Sequence, residues 1–283
     1  MAENENCTHD CSTCSANCGD RQKEDNGIPK AVLNQYSSIK KVIGVVSGKG
    51  GVGKSMVTAL SAIAANRDGF KVGIMDADIT GPSIPMMFGQ HKQAEASDAG
   101  IVPVETATGI KIMSLNLLTE NETDPVIWRG PVIGGVVEQF WTDVFWGDLD
   151  VLFIDMPPGT GDVPLTVFQT LPVDGIIVVT SPQELVSMIV TKAVNMAKMM
   201  NIPVLGLVEN MSYFECPDCG KKLEIFGPSS AVEVAHNNKI NLIEKLPINP
   251  MLAKQADLGK IEFSAGTEME SILPILDSLG LTK

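Results

Sequence analysis

From residue 40 onward the chain alternates short apolar runs with longer segments whose apolar positions recur at helical spacing. The runs at 42–46, 71–75, 110–115, 151–154, 175–179 and 204–208 are rich in Val and Ile and have strand length, and a further one lies at 242–245. The intervening segments predict helices at 55–66, 132–144, 164–170, 184–200, 229–237 and 268–278. Strands separated by helices call for right-handed crossovers. The fold class this predicts is α/β: a doubly wound, mostly parallel sheet with helices on both faces. Several runs are continuously apolar rather than alternating, as strands covered on both sides require. Residues 89–109 are polar and poor in apolar positions, which predicts a surface loop. Residues 1–30 show neither period and hold four of the six cysteines, so the predicted division is a Cys-rich tail, 1–30, and one α/β domain, 31–283.

In an open sheet of this kind ligands bind beyond the carboxyl ends of the strands. The chemistry-bearing residues fall there. Directly after the first run, residues 48–55 read GKGGVGKS. This is the G-x-x-x-x-G-K-[ST] phosphate-binding loop in its strand–loop–helix setting. Gly48, Gly50, Gly51, Val52 and Gly53 turn the backbone so that N–H groups face phosphate oxygens, and Lys54 reaches the β- and γ-phosphates. The Ser55 hydroxyl meets Mg²⁺, and Met56 opens a helix whose N-terminus favours anions. A second lysine, Lys49, has no part in an ordinary loop of this kind. A flexible cation there can cross an interface to a nucleotide held by a partner chain, which points to an ATPase working as a homodimer.

After the second run comes DADITGPSIP, residues 76–85. Asp76 and Asp78 leave an extended chain on one side. The pair is assigned to the Mg²⁺ sphere (Asp76) and to orienting the attacking water (Asp78); the plainer alternative is a pair of turn aspartates. After the fourth run comes IDMPPGTGD, residues 154–162, where Asp155 is a Walker-B-type carboxylate for Mg²⁺. Gly159 or Gly161 is a candidate N–H donor to the γ-phosphate, released on hydrolysis. Asn210, after the sixth run, carries donor and acceptor suited to an adenine edge. Arg129 is a candidate interfacial or phosphate-sensing cation, with a plain surface arginine as the equal alternative.

Length and charge narrow the class. The 283 residues suffice for one large domain with appendages, and the low aromatic content, 5%, suits a parallel sheet packed with small aliphatics. A net charge of −13 disfavours nucleic acid and anionic membranes over the surface as a whole. An acidic, polar N-terminus and the lack of any apolar run approaching ~18 residues give the expectation of a cytoplasmic protein. In a reducing cytosol the cysteines read as metal ligands. Cys216 and Cys219, in YFECPDCGKK, form a turn that presents two thiolates to one metal. A centre needing four ligands takes its other pair from a second copy of the chain. Zinc and [4Fe–4S] both remain open, as does a redox pair. Cys7, Cys11, Cys14 and Cys18 form C-x3-C-x2-C-x3-C, enough to wrap one cluster or one zinc, with His9 a spare ligand. His91 and His236 sit in polar surroundings and read as surface residues.

GKGGVGKS, DADITGPSIP, IDMPPGTGD, VENMS and CPDC, in that order, resemble the Mrp/ApbC-type P-loop ATPases from about residue 42 to 279. These are iron–sulfur cluster scaffold and carrier proteins of the deviant-Walker-A group that also contains MinD, ParA and the nitrogenase iron protein. The resemblance implies that Cys216 and Cys219 bridge a [4Fe–4S] cluster between two subunits. It also implies that Lys49 is the signature lysine, that Asn210 contacts adenine, and that ATP is needed to load the cluster or hand it on. Partners would be apo iron–sulfur proteins and donors of cluster, iron or sulfide, with no nucleic acid and no membrane. The four-cysteine tail looks like that of the eukaryotic-type scaffold branch, with tighter spacing. Two rival functions stay on the table. A MinD- or ParA-like positioning ATPase needs a basic helix or face, which the C-terminal ESILPILDSLGLTK lacks. ATP-gated electron transfer of the nitrogenase-iron-protein kind uses a different cysteine spacing.

Overall fold

In the computed structural model, which describes residues 29–79, 81–119, 130–182 and 186–282, the first apolar run becomes β1 (Ser38–Ser47) and feeds α1 (Lys54–Arg67). The chain continues through β2 (Val72–Asp76), α2 (Ile84–Met87), β3 (Glu95–Ser97), β4 (Gly100–Val102), β5 (Val104–Glu105), β6 (Lys111–Met113) and α3 (Gly130–Thr142). It follows with β7 (Asp148–Asp155), α4 (Asp162–Thr170), β8 (Gly175–Thr180), α5 (Val186–Met199) and β9 (Val204–Glu215). Last come β10 (Lys222–Leu223), α6 (Ala231–Asn238), β11 (Leu242–Pro247), α7 (Pro250–Asp257), α8 (Ile261–Ser264) and α9 (Leu273–Ser278).

The main sheet runs β5-β6-β2-β7-β1-β8-β9, with β11 and then β10 pairing along successive parts of the outer edge of β9. All pairings are parallel except those of β5 and β10. The chain leaves β1 to build one half of the sheet and later returns to build the other, so β1 stands at the switch point where a crevice opens at the strands' carboxyl ends. Helices cover both faces. One core layer packs α3, α4, α5 and α6 on the sheet through residues such as Phe140, Trp141, Phe168 and Val194. The other packs α1, α7, α8 and α9 through Leu60, Ile63, Leu252 and Leu276. Central-strand side chains such as Val45, Ile74, Phe153 and Ile177 are fully enclosed. Each such side chain contributes on the order of 1.5–3 kcal/mol through burial.

Three expectations need correction. Residues 89–109 are not only a loop: β3 and β4 pair as a hairpin, and β5 adds an antiparallel edge to β6. Strands of two or three residues are too short for alternation to register. The sixth strand does not stop at residue 208 but runs on to Glu215, because β11 and β10 extend its pairing. The last helix starts at Leu273 rather than 268, since Met269 takes a left-handed backbone (φ 63°) that breaks the helical run before it forms. Among the described residues no helix is long and apolar enough to cross a membrane.

Candidate functional site

The loop between β1 and α1 is shaped by its glycines. Gly53 has φ 81°, and a Cβ there would lie 2.1 Å from Asn210 Nδ2. Only glycine meets both conditions. Gly48 is held by packing alone: a Cβ would lie 1.6 Å from Ile189 Cγ2 on α5. Lys54, nearly buried, points from the first turn of α1 to the sheet, where its Nζ lies 2.7 Å from Asp155 Oδ1 and 3.8 Å from Asp78 Oδ2. Ser55 Oγ donates to Asp155 Oδ2 at 2.6 Å. Thr58 Oγ1, one helical turn further on, donates to Asp155 Oδ1 at 2.8 Å. Thr58 was not singled out in the sequence. A threonine inside a helix carries no signal until its partner strand is placed.

Asp155 ends β7 and Asp76 ends β2, and the two strands pair with these residues in register. The carboxyl groups are therefore neighbours, and both are fully buried. Burial, reinforced by the Asp155 charge and offset in part by Lys54, pushes the Asp76 carboxyl up to about 8. Its Oδ1 accepts from the Asp78 N–H at 3.2 Å, and its Oδ2 accepts from Ile84 N–H and Ser114 Oγ, both at 3.3 Å. Asp76 thus ties the 78–84 segment back onto its own strand. Two carboxylates, Asp155 and Asp78, face the single Lys54, which leaves an excess of negative charge beside the loop. The Ser55–Asp155 pair within that excess has the chemistry of a Mg²⁺ site completed by phosphate oxygens and water.

Of the two candidate switch glycines, Gly159 has its N–H donated to the Ser47 carbonyl at 2.7 Å, which joins the 156–161 segment to the start of the loop. Gly161 instead stands at the N-terminus of α4. On the other flank, Asn210 Nδ2 donates to the Val52 carbonyl at 3.0 Å and its Oδ1 accepts from Met211 N–H. Asn210 and Gly53 also line a largely apolar cavity of about 240 Å³, which continues past Met56 and Leu60 to β11, α7 and Glu268. The cavity has the size and position for a purine attached to phosphates in the loop. Its far wall, from Leu246 to Ala253, was not read as functional in the sequence.

β9 leads out of this region to the cysteines. Met211 adopts φ 57°, and the pairing of β11 shifts register between Lys245 and Pro247, so β9 carries a bulge where it borders the cavity. Beyond it, β10 folds back on Phe214 and Glu215, and the hairpin is closed by Cys216 N–H to Lys221 O and Gly220 N–H to Cys216 O. Cys216 is half-buried and Cys219 exposed, both as free thiols. The N–H groups of Asp218 and Cys219, and the Cys219 side chain, point at the Cys216 sulfur and lower its pKa. Such a turn stabilises thiolate for metal binding. Among the described residues no three His, Cys, Asp or Glu side chains converge as a complete ligand set. Two thiolates are therefore what one copy offers here.

Lys49 is half-buried at the loop, and His91 and His236 are exposed. Cys7, Cys11, Cys14, Cys18, His9 and Arg129 lie outside the described residues. Near the first described residue, Lys30 Nζ donates to the Phe168 and Leu171 carbonyls at the end of α4, at 2.7 and 2.9 Å.

A family model described as ParA: NUBPL iron-transfer P-loop NTPase matches residues 38–278. An iron–sulfur cluster carrier protein of Clostridium perfringens is 47% identical over 265 residues, covering 89% of this chain and 93% of its own length. An iron–sulfur cluster transfer protein, NUBPL, of Dictyostelium discoideum is 40% identical over 235 residues, covering 82% and 72%. Among solved structures, a nucleotide-binding protein of Archaeoglobus fulgidus in complex with ADP superposes with TM-score 0.73 at 47% identity, over 81% of this chain and 90% of that one. The cell division ATPase MinD of Pyrococcus furiosus superposes with TM-score 0.59 at 17% identity, over 85% and 98%, a likeness of fold alone.

Proposed function

Since the chain belongs to the ParA-type NUBPL iron-transfer P-loop NTPase family, we propose that it is an ATP-hydrolysing iron–sulfur carrier: a homodimer that holds a [4Fe–4S] cluster between the Cys216–Cys219 pairs of two copies and passes it to apo-proteins. One observation carries the reading. A single strand, β9, lines the nucleotide cavity with Asn210 and Met211 and ends at the thiolate turn. A change at one site therefore has a short covalent path to the other.

In this mechanism the loop N–H groups and Lys54 bind the phosphates, and the base enters the cavity beside Asn210. Ser55, Asp76 and Asp155 would hold Mg²⁺, which would supply positive charge to the bound phosphates. Asp78, within reach of Lys54, orients the attacking water. Lys49 crosses to the nucleotide of the opposite subunit, and Arg129 serves the same interface. Gly161, or Gly159 once released from Ser47, gives its N–H to the γ-phosphate. Closure of the dimer sets the separation of the two cysteine pairs, so nucleotide state and cluster affinity are linked reciprocally. Residues 1–30 form a separate cluster- or zinc-binding tail through Cys7, Cys11, Cys14 and Cys18, attached to the 31–283 domain.

The test is anaerobic reconstitution, with iron and acid-labile sulfide counted per dimer. Wild type should gain about four more irons per dimer than Cys216→Ala, with the broad visible absorption of an iron–sulfur cluster. Equal iron in the two would remove the bridging cluster. A colourless, zinc-loaded dimer would replace it with a structural metal.

A further inference from the structure

The hairpin that carries the cysteines has two unlike faces. Glu215 pairs with Lys222 and Phe214 with Leu223 across the β9–β10 ladder. Opposed residues share a face, and successive ones alternate between faces. One face is polar: it holds Tyr213, Glu215 and Lys222, and Lys222 Nζ stands 4.3 Å from the centre of the Tyr213 ring. The other holds Phe214 and Leu223, and the bond from Cys216 N–H to Lys221 O carries the same register on to the thiolate turn. Cys216 thus stands on the apolar face, about 7 Å along the strand from Phe214.

Apolar surface runs on past β10. Ile225 and Phe226 occupy the two corner positions of a turn closed by Gly227 N–H to Glu224 O at 3.1 Å. Such corners ordinarily hold Gly, Pro, Asn, Asp or Ser. Leu223, Ile225 and Phe226 are 41%, 59% and 45% exposed, and neither they nor Phe214 belong to either core layer. Neither core packing nor turn chemistry accounts for these four side chains. The same hairpin presents two free thiols, and among the described residues no group of three His, Cys, Asp or Glu side chains completes a ligand set there. Exposed apolar side chains and a half-filled ligand set therefore coincide on one hairpin. A second copy, turned about a twofold axis through the metal, answers both: it brings two more thiolates and an identical apolar surface, as an isologous contact requires.

We propose, resting on the reading that the cysteine pairs of two copies share one metal centre, that Phe214, Leu223, Ile225 and Phe226 form an apolar collar. It meets the same collar of a second copy and walls the shared centre off from water and dissolved oxidants. Bonds from four sulfurs fix the centre but leave its sides open; the apolar shell around a metal site controls solvent access to it. The collar also supplies attraction that the rest of the surface lacks. Two chains of net charge −13 repel one another, and removal of apolar area from water offsets that cost. Cys216 stands on the apolar face, so whatever covers the collar also covers the metal. The copy that supplies the other two ligands is already in that place.

The experiment uses the full chain, reconstituted with iron and sulfide without oxygen, as wild type, Ile225→Ser combined with Phe226→Ser, Phe226→Leu, and Met199→Ser. The last removes an exposed apolar side chain at the end of α5, away from the hairpin. Anaerobic sedimentation of the loaded protein gives the dimer dissociation constant, and visible absorbance after exposure to air gives the lifetime of the centre. The double serine variant should load as much iron per chain as wild type at high protein concentration. Its dimer should dissociate at about tenfold or more higher concentration, and its colour should bleach about fivefold or more faster. Phe226→Leu and Met199→Ser should behave as wild type. Thermal melts confirm folding, and Phe226→Ser alone serves should the double variant fail. If the serine variants keep the wild-type dimer constant and lifetime, the collar is overturned while the bridging centre stands. Slower transfer to an apo-protein, with those two quantities unchanged, would assign the surface to the recipient and overturn it equally. If wild type loads no more iron than Cys216→Ala, the bridging centre falls and the collar with it.

Discussion

Lys54 Nζ and Asp155 Oδ1 lie 2.7 Å apart, and the same carboxylate takes hydrogen bonds from Ser55 and Thr58. The phosphate loop, the first turn of α1 and the end of β7 are therefore joined at one buried charge. In the proposed mechanism a phosphate oxygen at the loop would compete with Asp155 for Lys54, and the two hydroxyl partners would keep Asp155 in place. Lys54→Ala strips a buried carboxylate of its cation, which is expected to cost on the order of 3–5 kcal/mol of stability and to abolish ATP binding. In an Asp155→Asn background the same substitution should cost less, since no charge is left unpaired. Chemical denaturation of the four proteins checks this, and additive costs would mean that the two groups do not interact.

Asp76 gives the site a pH dependence whose sign is fixed by its environment. Its carboxyl rises from 3.8 to about 8 on folding, chiefly through burial. The native chain thus holds a proton that the unfolded chain surrenders. The contribution is fully present below the unfolded value, declines as pH rises, and is lost once pH passes the folded value. The Asp76 contribution should fall between about pH 4 and about pH 8, and Asp76→Asn should flatten that part of the stability profile. If Mg²⁺ draws Asp76 into its sphere, Mg·ATP binding near neutral pH should release a proton. Calorimetry in two buffers of different ionisation enthalpy measures this; identical heats would leave Asp76 as a tether for residues 78–84 and no more.

The loop glycines are not equivalent. A Cβ at Gly48 would meet Ile189 Cγ2 at 1.6 Å, whereas one at Gly50 would meet only Pro158 Cγ, at 3.9 Å. Gly48→Ala should therefore cost on the order of 1–3 kcal/mol, and Gly50→Ala less than about 0.5 kcal/mol. Ile189→Ala removes the colliding methyl, so the double variant should be less destabilised than the sum of its parts. Strict additivity in thermal or urea unfolding would show that α5 does not set the shape of the loop.

The legible parts of this molecule are those where one run of sequence carries both element and chemistry. GKGGVGKS declares its loop because an apolar strand precedes it, and Asp76, Asp78 and Asp155 declare themselves because each ends or follows an apolar strand. The apolar cavity beside Gly53 was hidden for a different reason. Its wall is built by a short helix, α7, that begins at Pro250 and buries only Leu252 and Ala256, too few positions for a period to show. The extension of β9 to the cysteines was hidden by the bulge at Met211, which interrupts strand alternation just where the pairing passes from β11 to the two-residue strand β10. Thr58 and Ser114 became partners of Asp155 and Asp76 only once the sheet had brought them together.

Glu209, next to Asn210 on β9, offers the last prediction. It is fully buried; its Oε2 accepts from Ser212 Oγ at 2.6 Å, and its Oε1 has no hydrogen-bond partner among the described residues. A buried polar oxygen left without a partner lowers stability. Glu209→Gln should accordingly melt about 2–4 °C higher than wild type, the shift that roughly 1 kcal/mol produces in a chain of this size. Ser212→Ala, which removes the one donor to Glu209 Oε2, should melt lower, and the double variant should depart from additivity because the two side chains share that hydrogen bond. Glu209 also lies on the strand that joins the nucleotide cavity to the thiolate turn. If the carboxylate is retained for that connection, Glu209→Gln should trade activity for its gain: ATP should alter Cys216 alkylation less than it does in wild type. A variant that melts lower than wild type would show that the Glu209 side chain is well partnered, and the trade would not exist.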